Sequence, residues 1–151
     1  MEEKGITQVR SIINPEYRYS VGRYLERFYQ GLEAGKIWGI KCPRCGMVYV
    51  PPRWICYKCY QKMEEWIEVK DRGVLKSWSQ LYVSARKNPL KEPVLFGLIQ
   101  LDGADTAIYG ELRDLKPEQL KVGLRLKAVW KKERKGAVSD IEYFTLEEKE
   151  A

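Results

Sequence analysis

A chain of 151 residues with 44% hydrophobic and 32% charged residues is long enough for one medium domain or two small ones. It has no histidine, which excludes Ser-His-Asp and Cys-His nucleophile schemes and the usual proton-transfer group at neutral pH. No run approaches the roughly 20 apolar residues of a membrane helix. Because the first residues are polar and do not form a secretory signal, we expect a cytoplasmic protein without a membrane partner.

The net charge of +6 is concentrated in one segment. Residues 41–62 contain five basic residues and no acidic residue, whereas the segments on either side are nearly neutral. Four cysteine thiolates with one Zn²⁺ would leave this segment at about +3. Such a surface attracts phosphate groups, so nucleic acid and a nucleotide-bearing cofactor are both candidate ligands.

The first predicted element is an amphipathic helix. Ser20 is a suitable N-cap, and Gly35 is a suitable residue just past the C-terminal end. Apolar residues then repeat at intervals of three and four: Val21, Tyr24, Leu25, Phe28 and Leu32. The aromatic-rich stripe either packs against its own domain or docks on a partner protein. We assign residues 1–36 to an N-terminal helical segment.

All four cysteines of the chain lie in two Cys-x-x-Cys pairs, formed by Cys42, Cys45, Cys56 and Cys59. Two such pairs supply four thiolates, the ligand set that Zn²⁺ prefers in closed structural sites. The pairs are closer than the usual separation of roughly 15 to 20 residues, so a tight hairpin must connect them, with Pro51 and Pro52 near its bend. Residues 37–70 are therefore predicted to form a zinc ribbon.

Other uses of the four cysteines are less consistent with the sequence. Disulfides are disfavoured in a reducing compartment. A thioredoxin-like redox pair needs a single Cys-x-x-Cys beside a βαβ pattern, which is absent. Iron could occupy the same four sulfurs, as in a rubredoxin. Zinc is favoured over iron because Tyr60, and not a glycine, follows the second pair.

The pattern changes to alternating strands from Gly73 onward. Strands are predicted at 74–85, 94–101, 106–112, 124–130 and 138–146, with a basic proline-containing loop at 86–93 and a short helix at 115–120. Five strands with a helix between the third and fourth are typical of an OB-fold barrel, and a five-stranded SH3-like barrel is the alternative. The predicted fold is mostly β with an N-terminal helix, and it consists of a zinc ribbon followed by a five-stranded OB-fold barrel at 71–147 and a tail at 148–151.

This combination of motifs resembles a prokaryotic family once called domain of unknown function 35. The resemblance covers about residues 20–147. It is carried by Cys42, Cys45, Gly46, Pro51, Pro52, Arg53, Cys56, Cys59, Trp66, Gly73, Ser77, residues 101–103 and residues 120–123. Tyr57 stands where the family commonly has proline and Tyr60 where it commonly has glycine. The resemblance implies a rubredoxin-like zinc ribbon with an OB-fold and a partnership with thiolases or hydroxymethylglutaryl-CoA synthases, in which the protein binds or helps to channel acyl-CoA.

Acyl-CoA carries phosphates, which suit charge-assisted hydrogen bonds, and an acyl-pantetheine arm, which suits an apolar groove. The candidate phosphate contacts are basic residues in the ribbon and the first barrel loop: Arg44, Arg53, Lys58, Arg86, Lys87 and Lys91. Arg53 is preferred because a guanidinium matches phosphate oxygens. The apolar arm is predicted to lie between the first barrel strand and three helix residues, Tyr24, Phe28 and Leu32.

The leading hypothesis is a non-catalytic acyl-CoA-binding scaffold subunit that associates with a thiolase or hydroxymethylglutaryl-CoA synthase type enzyme. The alternative is a single-stranded nucleic-acid-binding protein, in which barrel aromatics stack on bases. The candidate stacking residues are Trp78, Tyr82, Phe96 and Tyr109. The barrel half is charge-neutral, which disfavours this alternative. An independent enzyme is disfavoured because no acid/base pair or nucleophile is visible.

Overall fold

The computed structural model describes residues 15, 18–83 and 89–147. These residues form helix α1 (Gly22–Glu33), the ribbon strands β1 (Ile37–Lys41), β2 (Val48–Tyr49) and β3 (Glu65–Val69), and the barrel strands β4 (Arg72–Val83), β5 (Pro89–Leu101), β6 (Ala107–Leu112), β7 (Arg125–Trp130) and β8 (Ile141–Leu146). Two 3₁₀ turns lie at Pro117–Gln119 and Val138–Asp140. None of the helices in the described ranges is long and apolar enough to cross a membrane.

Helix α1 has the predicted apolar stripe and the predicted C-terminal end. Phe28 and Leu32 are buried, and exposed polar residues occupy the opposite face. After the helix, Gly35 adopts a left-handed φ of +73° and its N–H donates to the Leu32 carbonyl at 3.0 Å. A glycine reaches this conformation without a Cβ penalty, which is why the helix ends there.

The ribbon is a three-stranded antiparallel sheet in the order β2-β1-β3. The second cysteine pair lies on a separate hairpin between β2 and β3. The bridge between Ile55 and Lys62 closes this hairpin, and the Met63 N–H donates to the Trp54 carbonyl at 2.9 Å. We call residues 54–63 the second-knuckle hairpin.

The five C-terminal strands close into a barrel in the order β4-β5-β6-β8-β7. All neighbours are antiparallel except β6 and β8, which are parallel and meet at Leu112 and Phe144. The 3₁₀ turn at Pro117–Gln119 lies between the third and fourth barrel strands. This is the predicted element order, and it confirms the mostly β fold with an N-terminal helix, a zinc ribbon and an OB-fold barrel.

The prediction of a loop at 86–93 was wrong for its second half. β5 begins at Pro89, and Val83 pairs with Pro89 across the β4–β5 hairpin. A proline at the first position of a strand removes no ladder hydrogen bond from the interior of the sheet. The register shift between Leu81 and Val83 places Pro93 beside a bulge, where the missing N–H is tolerated.

The helix, the ribbon and the barrel share one hydrophobic core. Leu32 of α1, Ile37 and Val50 of the ribbon, and Ile99 and Phe144 of the barrel belong to the same cluster of buried side chains. The ribbon therefore packs on the barrel as part of one folded unit. The division at residues 36, 70 and 147 stays a prediction.

Hydrogen bonds across the edge of β2 fix the ribbon to the barrel. The Val48 N–H donates to the Asp105 carboxylate at 2.8 Å, and the Asp105 N–H donates to the Val48 carbonyl at 2.8 Å. The Thr106 hydroxyl accepts from the Val50 N–H at 2.7 Å and donates to the Val50 carbonyl at 2.9 Å. Two side chains that precede β6 thus satisfy the open edge of β2, which would otherwise expose unpaired backbone groups.

The connection between β7 and β8 caps the helix. The Arg134 guanidinium donates to the Glu33 carbonyl at 2.9 Å and to the Lys131 carbonyl at 3.2 Å. A cation at a helix C-terminus satisfies a free carbonyl and matches the negative end of the helix dipole. The sequence did not predict this cap, because a contact with a helix about 100 residues away leaves no local pattern.

A buried carboxylate organises the same connection. Asp140 is only 2% exposed, and its oxygens accept from the Lys135 N–H at 3.1 Å and the Ala137 N–H at 2.9 Å. Burial alone raises the pKa of this carboxyl group, but the backbone N–H bonds from residues 135–137 outweigh it and lower the pKa below its ordinary value. Residues 138–140 form a 3₁₀ turn, so β8 begins at Ile141 and not at the predicted residue 138.

We expect Asp140→Asn to destabilise the protein by about 1–3 kcal/mol at pH 7, because an amide cannot accept all of these N–H bonds. The carboxylate's contribution is complete above the unfolded pKa of about 3.9 and is lost as the pH falls through the lower folded value. Urea unfolding at pH 7 and at about pH 3 would show a difference between wild type and variant that shrinks in acid. Glu118→Gln, at an exposed turn, is the control, and a difference independent of pH would contradict the assignment.

Candidate functional site

The two cysteine pairs form nearly identical turns. In the first, the Gly46 N–H donates to the Cys42 carbonyl at 3.0 Å. In the second, the Tyr60 N–H donates to the Cys56 carbonyl at 2.9 Å. Each turn directs its thiols toward the same point, because the backbone folds back in the same way around each first cysteine.

The four sulfur atoms fit a tetrahedral zinc site. All four lie within 4.8 Å of one another, with 3.2 Å between the sulfurs of Cys42 and Cys59 and 3.6 Å between those of Cys45 and Cys56. Zn–S bonds of about 2.3 Å in a tetrahedron place sulfurs roughly 3.8 Å apart. Cys42 and Cys56 are fully buried. The donor set and its burial are those of a closed structural zinc site, which supplies folding free energy to a small ribbon.

A buried tyrosine contacts the cluster. The Tyr49 hydroxyl lies 3.0 Å from the Cys56 sulfur, and the Tyr49 side chain has no solvent exposure. Burial raises the pKa of the Cys56 thiol, but hydrogen bonds from Tyr49 and the backbone N–H groups of Cys59 and Lys58 outweigh it and bring the pKa to about 6. The sequence did not predict this contact, because it depends on how Tyr49 of β2 packs against the second cysteine pair in the fold.

At Cys59 the net shift is upward. Burial, together with hydrogen bonds with the Cys42 and Cys56 sulfurs, raises the pKa of this thiol to about 12. A Zn²⁺ ion would be held by the four sulfurs as thiolates, since the thiolate is the form that ligates.

Tyr60 has a backbone conformation that tyrosine rarely adopts. Its φ is +56°, close to the +75° of Gly46 at the matching position of the first turn. A left-handed conformation costs an L-residue roughly 1–2 kcal/mol because Cβ approaches the carbonyl oxygen. The second turn thus keeps the geometry of the first although it lacks the glycine.

The ribbon's positive charge is partly neutralised by carboxylates next to it in the sequence. Lys62 pairs with Glu64 at 2.6 Å and Lys41 with Glu65 at 3.5 Å. Three exposed cations of this segment form no ion pair with a described carboxylate: Arg44, Arg53 and Lys58. The surface therefore carries less excess charge than the count over residues 41–62 suggests.

Four of the six predicted phosphate contacts lie among the described residues: Arg44, Arg53, Lys58 and Lys91. The Arg53 guanidinium lies 5.6 Å from the centre of the Tyr49 ring, close enough for a cation–π interaction. Arg44 and Lys58 occupy the second variable position of each cysteine pair. Lys91 is exposed on β5. Arg86 and Lys87 lie outside the described residues.

An apolar groove of about 410 Å³ opens between α1 and the barrel strands β6 and β8. Its floor consists of buried side chains, and its rim is partly exposed. The lining residues are Phe28, Leu32, Pro51, Leu98, Ala107, Ile108, Tyr109, Gly110, Glu111, Val138, Ile141, Tyr143 and Phe144. The volume is within the range of small-molecule sites, which are mostly apolar with a few polar groups.

Two of the three helix residues predicted for an acyl groove line this one. Phe28 and Leu32 form part of the floor, opposite β6 and β8 and not beside β4, the first barrel strand. Tyr24 does not line it. The Tyr24 hydroxyl donates to the Met63 carbonyl at 3.0 Å, and its ring stacks on Trp66 at 5.8 Å. The sequence could not reveal the β8 wall, because the parallel contact between β6 and β8 joins distant segments.

Comparisons with known proteins agree with this architecture. Family models for the rubredoxin-like zinc ribbon domain and the C-terminal OB-fold domain of ChsH2 match residues 30–63 and 66–131. A DUF35 domain-containing scaffold protein from Methanocaldococcus jannaschii is 33% identical over 95 residues, which is 62% of this chain and 67% of the relative.

Two solved structures are also similar. A DUF35-family protein of unknown function from Sulfolobus solfataricus matches with a TM-score of 0.58 at 31% identity, covering 69% of this chain and 75% of that one. A structure described as Ltp2-ChsH2(DUF35) aldolase matches with a TM-score of 0.60 at 16% identity, covering 85% of this chain and 98% of that one. The second likeness is one of fold alone.

We expect Tyr60→Gly to stabilise the zinc-loaded protein by about 0.5–1 kcal/mol. Glycine removes the left-handed strain, and its greater freedom in the unfolded chain offsets only part of that gain. The free energy of unfolding in urea is the measurement. Lys58→Gly, at an exposed position without a positive φ, is the control and should be destabilising. If Tyr60→Gly lost as much stability as Lys58→Gly, the assignment of backbone strain to Tyr60 would be wrong.

Proposed function

The chain belongs to the DUF35 family of zinc-ribbon and OB-fold proteins, and from this premise we propose that it is a non-catalytic subunit that binds acyl-CoA and associates with a thiolase or hydroxymethylglutaryl-CoA synthase type enzyme. The observation that carries the proposal is the apolar groove between α1 and the barrel. A groove with a buried floor and an open rim can hold an acyl-pantetheine arm while the rest of the ligand stays at the surface.

The role as a scaffold is supported by the archaeal relative, which is named a scaffold protein. It is also supported by the state of the ionisable groups. Every described carboxyl group whose pKa departs from its ordinary value has a lowered pKa: Glu64, Asp102, Asp140 and Glu147. A carboxyl group that acts as a general acid at neutral pH needs a raised pKa. The described acids thus suit structural hydrogen bonds and ion pairs.

The association with acyl-CoA is supported by the two chemistries that the ligand needs. The groove provides apolar surface, and burial of each methylene contributes about 0.8 kcal/mol. Arg53 provides an exposed guanidinium that no described carboxylate neutralises. It follows Pro51, which lines the groove, by two residues in the sequence.

Single-stranded nucleic acid is the second candidate ligand. Phe96 and Tyr109 stack on each other on β5 and β6, with ring centres 4.9 Å apart and planes 2° apart. Trp78 and Tyr82 are exposed on β4. Aromatics on these strands are the usual platform for bases in an OB-fold. The mutual stacking of Phe96 and Tyr109 leaves fewer ring faces free for bases, which places this candidate second.

The test is isothermal titration of the zinc-loaded protein with CoA thioesters of increasing chain length. We expect the affinity to rise with each methylene, up to about fourfold, until the groove is filled. Val138→Trp, on the rim, should remove this dependence. Val122→Trp is the control, because Val122 is 68% exposed outside the groove whereas Val138 is 55% exposed at its rim. A rise in affinity that persists in Val138→Trp would contradict the assignment of the groove.

The phosphate contact is tested separately. Arg53→Ala should weaken binding of every CoA thioester by at least about tenfold, since a hydrogen bond to a charged group contributes about 1.5–3 kcal/mol. Lys121→Ala, at another exposed cation, is the control. An unchanged affinity in Arg53→Ala would remove this residue from the site. Salt-sensitive binding of an oligonucleotide, without binding of any CoA thioester, would favour the second candidate.

A further inference from the structure

We propose that the second-knuckle hairpin, residues 54–63, is the surface by which this protein docks on its partner enzyme, and that the partner presents an apolar depression bordered by carboxylates. This inference rests on the proposed function, because it names the contact surface of the proposed scaffold. It assigns a role to exposed aromatic side chains that neither the zinc site nor the groove uses.

The hairpin exposes three large aromatic side chains within seven residues. Trp54 is 56% exposed, Tyr57 58% and Tyr60 78%. Tryptophan and tyrosine are enriched at the energetic centres of protein interfaces, where their rings bury a large area and lose little rotamer entropy. Such a cluster of exposed aromatic positions within one short hairpin favours an interaction site.

The cluster is held on a rigid support. The Met63 to Trp54 backbone bond and the bridge between Ile55 and Lys62 close the hairpin, and the metal site fixes its end. The Tyr57 ring packs edge-on against Tyr49 at 5.9 Å. Preorganisation reduces the entropy that is lost on binding, so a small surface can dock with useful affinity.

Tyr60 supplies an independent argument. Its left-handed backbone would be less strained with glycine, as at Gly46. Its side chain is the most exposed of the large apolar and aromatic side chains in the described ranges, and no hydrogen bond is found for its hydroxyl there. The tyrosine therefore adds strain and contributes little packing to the fold. Strain that folding does not require is characteristic of positions kept for function.

The charges beside the cluster indicate the chemistry of the partner. Arg44 and Lys58 follow the first cysteine of each pair by two residues, are exposed, and have no ion pair among the described residues. Two of the four sulfur ligands, those of Cys42 and Cys56, are buried. The hairpin therefore presents exposed aromatic rings together with the cation of Lys58, and this combination complements carboxylates around an apolar depression.

A protein surface fits these observations better than nucleic acid does. Lys41 and Lys62 are already paired with Glu65 and Glu64, so few cations remain to contact a row of phosphates. Protein surfaces that bind nucleic acid are strongly positive, and their affinity depends on many phosphate contacts. A few cations around a larger aromatic area are instead the composition of a protein interface.

The test uses the full zinc-loaded chain and, as probes, the purified thiolase and hydroxymethylglutaryl-CoA synthase of the source organism. Biolayer interferometry gives the dissociation constant for wild type, Trp54→Ser, Tyr60→Gly and Lys58→Glu. We expect each aromatic change to weaken binding at least tenfold, and Lys58→Glu to slow association and reduce its salt dependence. Tyr82→Ser and Lys76→Glu, at exposed barrel positions, are the matched controls and should bind like wild type.

Tyr60→Gly separates docking from folding, because it should lose partner affinity while the ribbon becomes more stable and keeps its zinc. If wild type binds a probe and all three hairpin variants bind equally well, the inference is overturned and the scaffold function stands. If wild type binds neither probe, both are overturned. If an oligonucleotide binds in a manner that Tyr60→Gly abolishes, the hairpin is a nucleic-acid surface and the inference is again overturned.

Discussion

The hydrogen bonds between β2 and the residues that precede β6 are the constraint on which the rest of the structure depends. Asp105 and Thr106 exchange donors and acceptors with the backbone of Val48 and Val50, so the open edge of the ribbon is satisfied by the barrel. Val48 and Val50 can then enter the common core. Without these bonds the ribbon would be a small metal-bound module on a linker, and Pro51 would not form part of the groove wall.

The arrangement places separate functions on one rigid unit. The four-cysteine site orders the ribbon. The Tyr49 hydroxyl contacts the Cys56 sulfur, and the Tyr49 ring belongs to the cluster of buried side chains around the cysteines. The groove lies where helix, ribbon and barrel meet. The exposed aromatics stand on the second-knuckle hairpin. Under the proposed function, this unit holds a ligand in the groove and a partner on the hairpin at once, because folding and metal binding fix the positions of both surfaces.

Local patterns in the sequence predicted the helices and strands. They did not predict contacts between residues that are far apart in the sequence. The cysteine spacing predicted the metal site, and Gly35 and the apolar stripe predicted the end of α1 and its buried face. The roles of Asp140, Arg134 and Tyr49 were not predicted, since each depends on a partner brought close only by the fold. The same holds for the groove. Periodicity predicted the residues on its helix side, but its β8 side depends on barrel closure and has no local pattern.

The cap that Arg134 places on α1 has a consequence for the groove. Phe28 and Leu32 come from the helix, whereas Val138 and Ile141 come from the chain just beyond Arg134. The bond from Arg134 to the Glu33 carbonyl ties these two walls together beyond the end of the cavity. Separating the walls at this end would break the bond. Under the proposed acyl-CoA role, a groove whose walls are tied in this way favours a slender unbranched chain over a bulky substituent.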